Sequence, residues 1–172
     1  GLGRYVLTDA TTQPIDLKGR VPQPYIAIEG PIGVGKTTLA RQLADLFDYQ
    51  LLLEDAHENP FLSKFYENRR QNALATQLFF LFQRVQKIDD LKQQDLFRPL
   101  RIADFLIDKD PLFAQVNLDA DEYELYRKVY NQMTVDAPTP DLVIYLQASV
   151  DRLLERIDRR GITSERTISR QY

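Results

Sequence analysis

The stretch Gly30-Pro31-Ile32-Gly33-Val34-Gly35-Lys36-Thr37 decides how the rest of this chain is read. It follows the apolar run Tyr25-Ile26-Ala27-Ile28-Glu29 and leads, through Thr38, into a helical pattern. Strand, glycine-rich loop and helix in that order form the phosphate-binding P-loop. Its glycines let backbone N–H groups turn inward around phosphate oxygens, and the positive end of the following helix points at the same place. Lys36 is then placed to reach the β- and γ-phosphates of ATP, and the Thr37 hydroxyl to ligate Mg²⁺. Of seven glycines, Gly30, Gly33 and Gly35 lie in this loop, and beyond Val21 the one other is Gly161.

Composition narrows what can surround such a loop. A chain of 172 residues, 44% hydrophobic and 27% charged, suits one globular domain with its own core. A net charge of −3 argues against a partner that is a nucleic acid polymer, since such binding works by phosphate neutralisation. The absence of cysteine removes disulfides and thiolate metal sites and is compatible with the cytoplasm. No apolar run approaches the length of a membrane span, and no signal-peptide pattern is present. Residues 1–24, with Pro14, Pro22 and Pro24, read as a tail or linker, and residues 25–172 as the domain. A chain beginning at Gly1 is expected to be a processed, tagged or excerpted product.

Beyond the P-loop, strand and helix signals alternate. Strands are expected at 25–29, 50–54, 101–104 and 142–146, each short, apolar and rich in branched residues. Helices are expected at 36–47, 60–69, 73–92, 120–133 and 150–160. Such alternation implies an α/β fold, a parallel sheet with helices on both faces. Ligands bind such sheets at the carboxyl ends of the strands. Two expected strands end in carboxylates, Glu54 and Asp104, and the first ends in the P-loop.

The longest helix carries Leu74, Leu78, Leu81, Val85 and Ile88 as a buried stripe. Its middle, Leu78-Phe79-Phe80-Leu81-Phe82, is apolar all round, so the helix is covered on most sides. Gln77 and Arg84 share one of its faces, about 10 Å apart along the axis. A polar pair in apolar surroundings needs partners. These are either a flat ligand with hydrogen-bonding edges or neighbouring backbone and carboxylate groups.

The order of Glu54, Asn59-Pro60-Phe61-Leu62, Phe65-Tyr66, Gln77, Phe79-Phe80-Leu81 and Arg84 resembles the deoxynucleoside kinases, most closely the bacterial deoxyguanosine and deoxyadenosine kinases. The likeness continues through Ala103-Asp104-Phe105, Lys109, Phe113-Ala114 and Pro140–Leu146. It ends in Arg156-Ile157-Asp158-Arg159-Arg160-Gly161, which is similar to the family's mobile lid. The resemblance implies a P-loop NTPase-type sheet of five strands, the fifth missing here together with the rest of the C-terminal part. It also implies a homodimer, and transfer of the γ-phosphate of ATP, with Mg²⁺, to the 5′-hydroxyl of a deoxynucleoside, a purine by preference. On that likeness Glu54 is the general base, Tyr66 and Glu165 hold the 3′-hydroxyl, and Gln77 reads the base edge with Arg84 beside it. Asp104 helps position Mg²⁺ with Thr37, and Arg156 and Arg160 close on the phosphoryl group from the lid.

Two departures bear on activity. Where most of the family has Asp/Glu-Arg-Ser, this chain has Asp104-Phe105-Leu106, and where the lid has Arg-Gly-Arg it has Arg160-Gly161-Ile162. Each removes a cation, and Lys109 is the candidate to supply positive charge at the site. A nucleoside monophosphate kinase such as thymidylate kinase remains a rival, although it needs extra cations for an acceptor phosphate. A catalytically silent nucleotide-binding partner subunit remains the other. His57, the single histidine, reads as an unremarkable loop residue.

Overall fold

Strand β1, Tyr25–Glu29, occupies an inner position of the sheet, and four of its five residues are buried. The computed structural model describes residues 24–93, 100–161 and Ile168. The tail reading of residues 1–23, and the readings of Ile162 and Glu165, lie outside those residues. β2 (Gln50–Leu52), β3 (Arg101–Ala103) and β4 (Leu142–Tyr145) complete a four-stranded parallel sheet in the order β2-β3-β1-β4. Ala27 is in register with Ala103 on one side and Val143 on the other.

The chain leaves β1 through α1 (Lys36–Phe47) toward β2, and leaves β3 toward β4 on the opposite side of β1. The carboxyl ends of β1 and β3 therefore flank a topological switch point, where the loops diverge and leave a crevice. α1 covers one face, where Ala40 and Ala44 pack with Ile28 and Ile102. The other face is covered by α2 (Leu62–Glu67), α3 (Arg69–Gln93), α4 (Asp110–Asn117) and α5 (Ala120–Met133). Its core joins Phe65, Leu81, Ile88, Phe105 and Tyr126.

The expected bounds of α1, α5 and α6 (Val150–Arg160) agree with the structure because each has a local stop or start. α5 begins in a capping box between Asp119 and Glu122. α6 begins at Ser149 and ends at Gly161, whose φ of 70° places it in the left-handed region glycine tolerates. Elsewhere the reading is corrected. The helix expected over 60–69 is shorter, because Asn68 leaves helical geometry and separates α2 from α3. α3 starts at Arg69, four residues before the expected start at residue 73, since its first turn, including Arg70 and Gln71, is exposed and invisible to an apolar period. α4 was not expected; Asp110-Pro111 at its start is a helix-opening signal. β2, β3 and β4 each stop short of the expected residue, so Glu54 and Asp104 stand just beyond their strands.

Candidate active site

Three strand ends meet at a cleft of about 620 Å³. The P-loop forms one wall. Lys36 Nζ donates to the Gly30 carbonyl at 2.8 Å, so the ammonium is folded back onto its own loop. Gly33 has a φ of 82°, and a β-carbon there would lie 3.0 Å from Ile157 Cγ1 and 3.2 Å from the Leu153 carbonyl. The tip of the loop is thus seated against α6, and any side chain at Gly33 would push the two apart. From α6, Arg156 Nη1 donates to the Val34 carbonyl at 3.2 Å, and Arg160 lines the cleft.

Asp104 ties the β3 end to both neighbours. Its Oδ2 accepts from Thr37 Oγ1 at 2.6 Å and its Oδ1 accepts from the Glu54 backbone N–H at 2.7 Å. Burial pushes its carboxyl above the usual range, with those two hydrogen bonds working against the shift. A carboxylate and a hydroxyl oxygen at contact distance, with the carboxylate short of compensating charge, suit a hard cation such as Mg²⁺. No cluster of three or more carboxylate, imidazole or thiolate groups occurs among the described residues. The donor set therefore fits an ion that takes most of its remaining ligands from water and nucleotide phosphate.

The opposite wall is built by α3. Arg84 Nη2 donates to Glu54 Oε1 at 2.6 Å, and Arg84 Nη1 donates to Asp110 Oδ2. The guanidinium also lies 4.9 Å from the Phe80 ring centroid. Burial alone would lower the Arg84 pKa; the Glu54 and Asp110 carboxylates outweigh it, and the net shift is upward. Asp110 is fully buried and accepts from the Tyr126 hydroxyl on its second oxygen. Burial raises the Asp110 pKa against the pull of Arg84 and Tyr126. Burial and the Asp110 charge raise that of Tyr126.

Gln77, one face above Arg84, behaves differently. It is 5% exposed, it lines the cleft, and its amide nitrogen has no partner among the described residues. A buried amide N–H₂ left unpaired is costly unless a ligand takes it up. The two readings of the Gln77 and Arg84 pair thus divide: both terminal nitrogens of the arginine are taken by carboxylates, its Nε alone lacking a partner among the described residues, while the amide nitrogen of Gln77, which lines the cleft, has none. Tyr66, Phe80 and Phe113 line the same space, and so does His57. Asn59 serves the scaffold, donating to the Thr76 carbonyl at 3.1 Å and accepting from the Phe61 N–H at 3.0 Å.

Lys109 is not brought to this cleft. It does not line the cleft and pairs instead with Glu29, at the root of the P-loop, at 3.0 Å, and Phe105 is buried in the core. Asp110 and Tyr126 were missed by sequence reading. The need of Arg84 for polar partners was visible, but not that carboxylates meet it, nor which ones.

A family model described as deoxynucleoside kinase matches residues 26–172. The chain is 40% identical to a deoxyguanosine kinase of Bacillus subtilis (strain 168) over 151 residues, covering 87% of this chain and 72% of that protein. It is 31% identical to a deoxyadenosine/deoxycytidine kinase of the same organism, covering 86% of this chain and 70% of that one. A solved structure of deoxyadenosine kinase from M. mycoides with bound dATP superposes with a TM-score of 0.74 at 28% identity, over 86% of this chain and 76% of that one.

Proposed function

The chain belongs to the deoxynucleoside kinase family, and we propose that it transfers the γ-phosphate of ATP to the 5′-hydroxyl of a purine deoxynucleoside. Phosphorylation of a deoxynucleoside is the activity named for these relatives. The observation that carries the reading is the composition of the cleft. A carboxylate, Glu54, and the P-loop lysine, Lys36, line one cleft with a buried amide, Gln77, whose nitrogen has no partner among the described residues. An acceptor bearing its own phosphate would need a spare cation beside Glu54. The cation there, Arg84, is already held by two carboxylates, which disfavours the monophosphate kinase.

In this reading Glu54 takes the proton of the attacking 5′-hydroxyl while Arg84 fixes its carboxylate. Lys36 leaves the Gly30 carbonyl for the phosphates, and the P-loop residues Gly30 to Thr38 cradle them. Tyr66, with Glu165 outside the described residues, holds the 3′-hydroxyl. Arg156 and Arg160 approach the transferring group from α6. Thr37 and Asp104 would hold Mg²⁺, which when bound neutralises charge on the phosphate oxygens. We further propose a cytoplasmic homodimer. It is supported by family likeness and by Leu112, Val116 and Leu125 standing exposed on α4 and α5. No helix among the described residues is long and apolar enough to cross a membrane.

The test is transfer of labelled phosphate from ATP, with and without Mg²⁺, to each of the four deoxynucleosides and their monophosphates. Deoxyguanosine or deoxyadenosine is expected to be labelled, and only with Mg²⁺. Labelling of monophosphates alone would install the rival enzyme, and no labelling at all the silent subunit.

Base reading has its own test. Gln77→Leu is expected to cost about 1–3 kcal/mol of deoxynucleoside binding, by leaving base-edge groups unpaired, with ATP binding unchanged. Calorimetric titration of the two ligands separates the outcomes. Equal weakening of both would mean that the change has damaged α3 instead.

A further inference from the structure

Glu29 is the last residue of β1, and it is an acid buried at the root of a loop that must attract phosphate. Its side chain is 6% exposed. One oxygen, Oε1, accepts from the Gly30 N–H at 2.9 Å and also from Lys109 Nζ at 3.0 Å. The ammonium of Lys109 lies 4.9 Å from the centroid of the Tyr145 ring at the end of β4. Lys109 thus bridges the short 3₁₀ turn Ile107–Lys109 to two neighbouring strand ends. At the other end of the same residue, the Gly30 carbonyl accepts from Lys36 Nζ at 2.8 Å. A carboxylate and the phosphate-binding ammonium are therefore anchored to the N–H and the carbonyl of one residue, Gly30.

A buried carboxylate without a cation recruits the nearest one, because an isolated charge in a low-dielectric surrounding is costly. On this loop the nearest alternative is Lys36. We propose that Lys109 is a positioning residue for ATP: it neutralises Glu29, keeps the Gly30 peptide in place and leaves Lys36 free for phosphate. This rests on the reading of the P-loop as the ATP site. It gives Lys109 an indirect role in place of a direct charge contact with the transferring phosphoryl group.

The experiment is a double-mutant cycle of Lys109→Met and Glu29→Gln, read as ATP affinity by calorimetry and as KM for each substrate. Lys109→Met is expected to weaken ATP binding about tenfold, mid-range for directly coupled residues, with deoxynucleoside affinity changed less than about twofold. Lys109→Arg should restore ATP affinity, since it returns a cation to Glu29. In the Glu29→Gln background there is no charge to neutralise, so adding Lys109→Met should leave ATP affinity within about twofold. A loss of ATP affinity in that background as large as in the wild type overturns the proposal, because it marks direct contact. Should Lys109→Met alone fail to fold, comparing Glu29→Gln with the double variant decides the question by itself. A wild-type protein that binds ATP but labels no deoxynucleoside would sink the kinase reading and leave this coupling measurable.

Discussion

Glu54→Gln is expected to lower kcat by about 10²–10⁴-fold, the range for loss of a positioned general base. The amide keeps the shape of the carboxylate and still offers an oxygen to Arg84 Nη2, which now donates at 2.6 Å. What it cannot do is accept the proton of a 5′-hydroxyl. Arg84 retains Asp110 as a charged partner, so the wall of the cleft should stand. Deoxynucleoside affinity is therefore expected to change far less than turnover. Single-turnover kinetics with ATP in excess, alongside calorimetry for the deoxynucleoside, separates the two quantities. Near-normal kcat would reduce Glu54 to an anion that serves Arg84.

The second large effect concerns stability. Arg84→Met is expected to cost about 3–5 kcal/mol, the usual loss when one member of a buried ion pair is removed. That is a large share of the roughly 5–15 kcal/mol that holds a typical domain folded. Two carboxylates lose their cation together, and one of them, Asp110, is fully buried. The loss should depend on pH in a stated direction. Burial already raises the Asp110 pKa in the folded protein, and Arg84 is the charge that opposes the rise. Without Arg84 the folded-state value climbs further above the unfolded one. A group shifted upward contributes its stability below the unfolded pKa and loses it as pH rises through the folded pKa. The deficit of Arg84→Met relative to wild type should therefore be smaller at pH 5 than at pH 8 when measured by urea unfolding. A deficit independent of pH would show that lost packing against Phe80, rather than uncompensated charge, dominates.

Much of the fold is legible along the chain because the deciding signals are local. The glycines of the P-loop, the apolar run of β1, the capping box of α5 and the Ser149 and Gly161 ends of α6 each act within a few residues. The same locality put Glu54 and Asp104 at the carboxyl ends of the expected strands, since parallel strands of an α/β sheet deliver their last residues to one edge; both stand just beyond the strands that form. Gln77 and Arg84 also stood out, as polar residues on an apolar helix.

What each of those groups touches was decided only by tertiary structure. Helical periodicity states that Arg84 lies in apolar surroundings and needs partners, but not that these are two carboxylates, one just past the end of β2 and the other at the start of α4. Lys109 counts in the sequence as spare positive charge near the site. The packing of its 3₁₀ turn against β1 and β4 commits it to Glu29 instead. Asn68 breaks a helix that its neighbours' apolar spacing would continue. Period and capping depend on residues a few positions apart. The pairing of buried charges depends on which strand ends the crossovers bring together, and that is a property of the folded sheet alone.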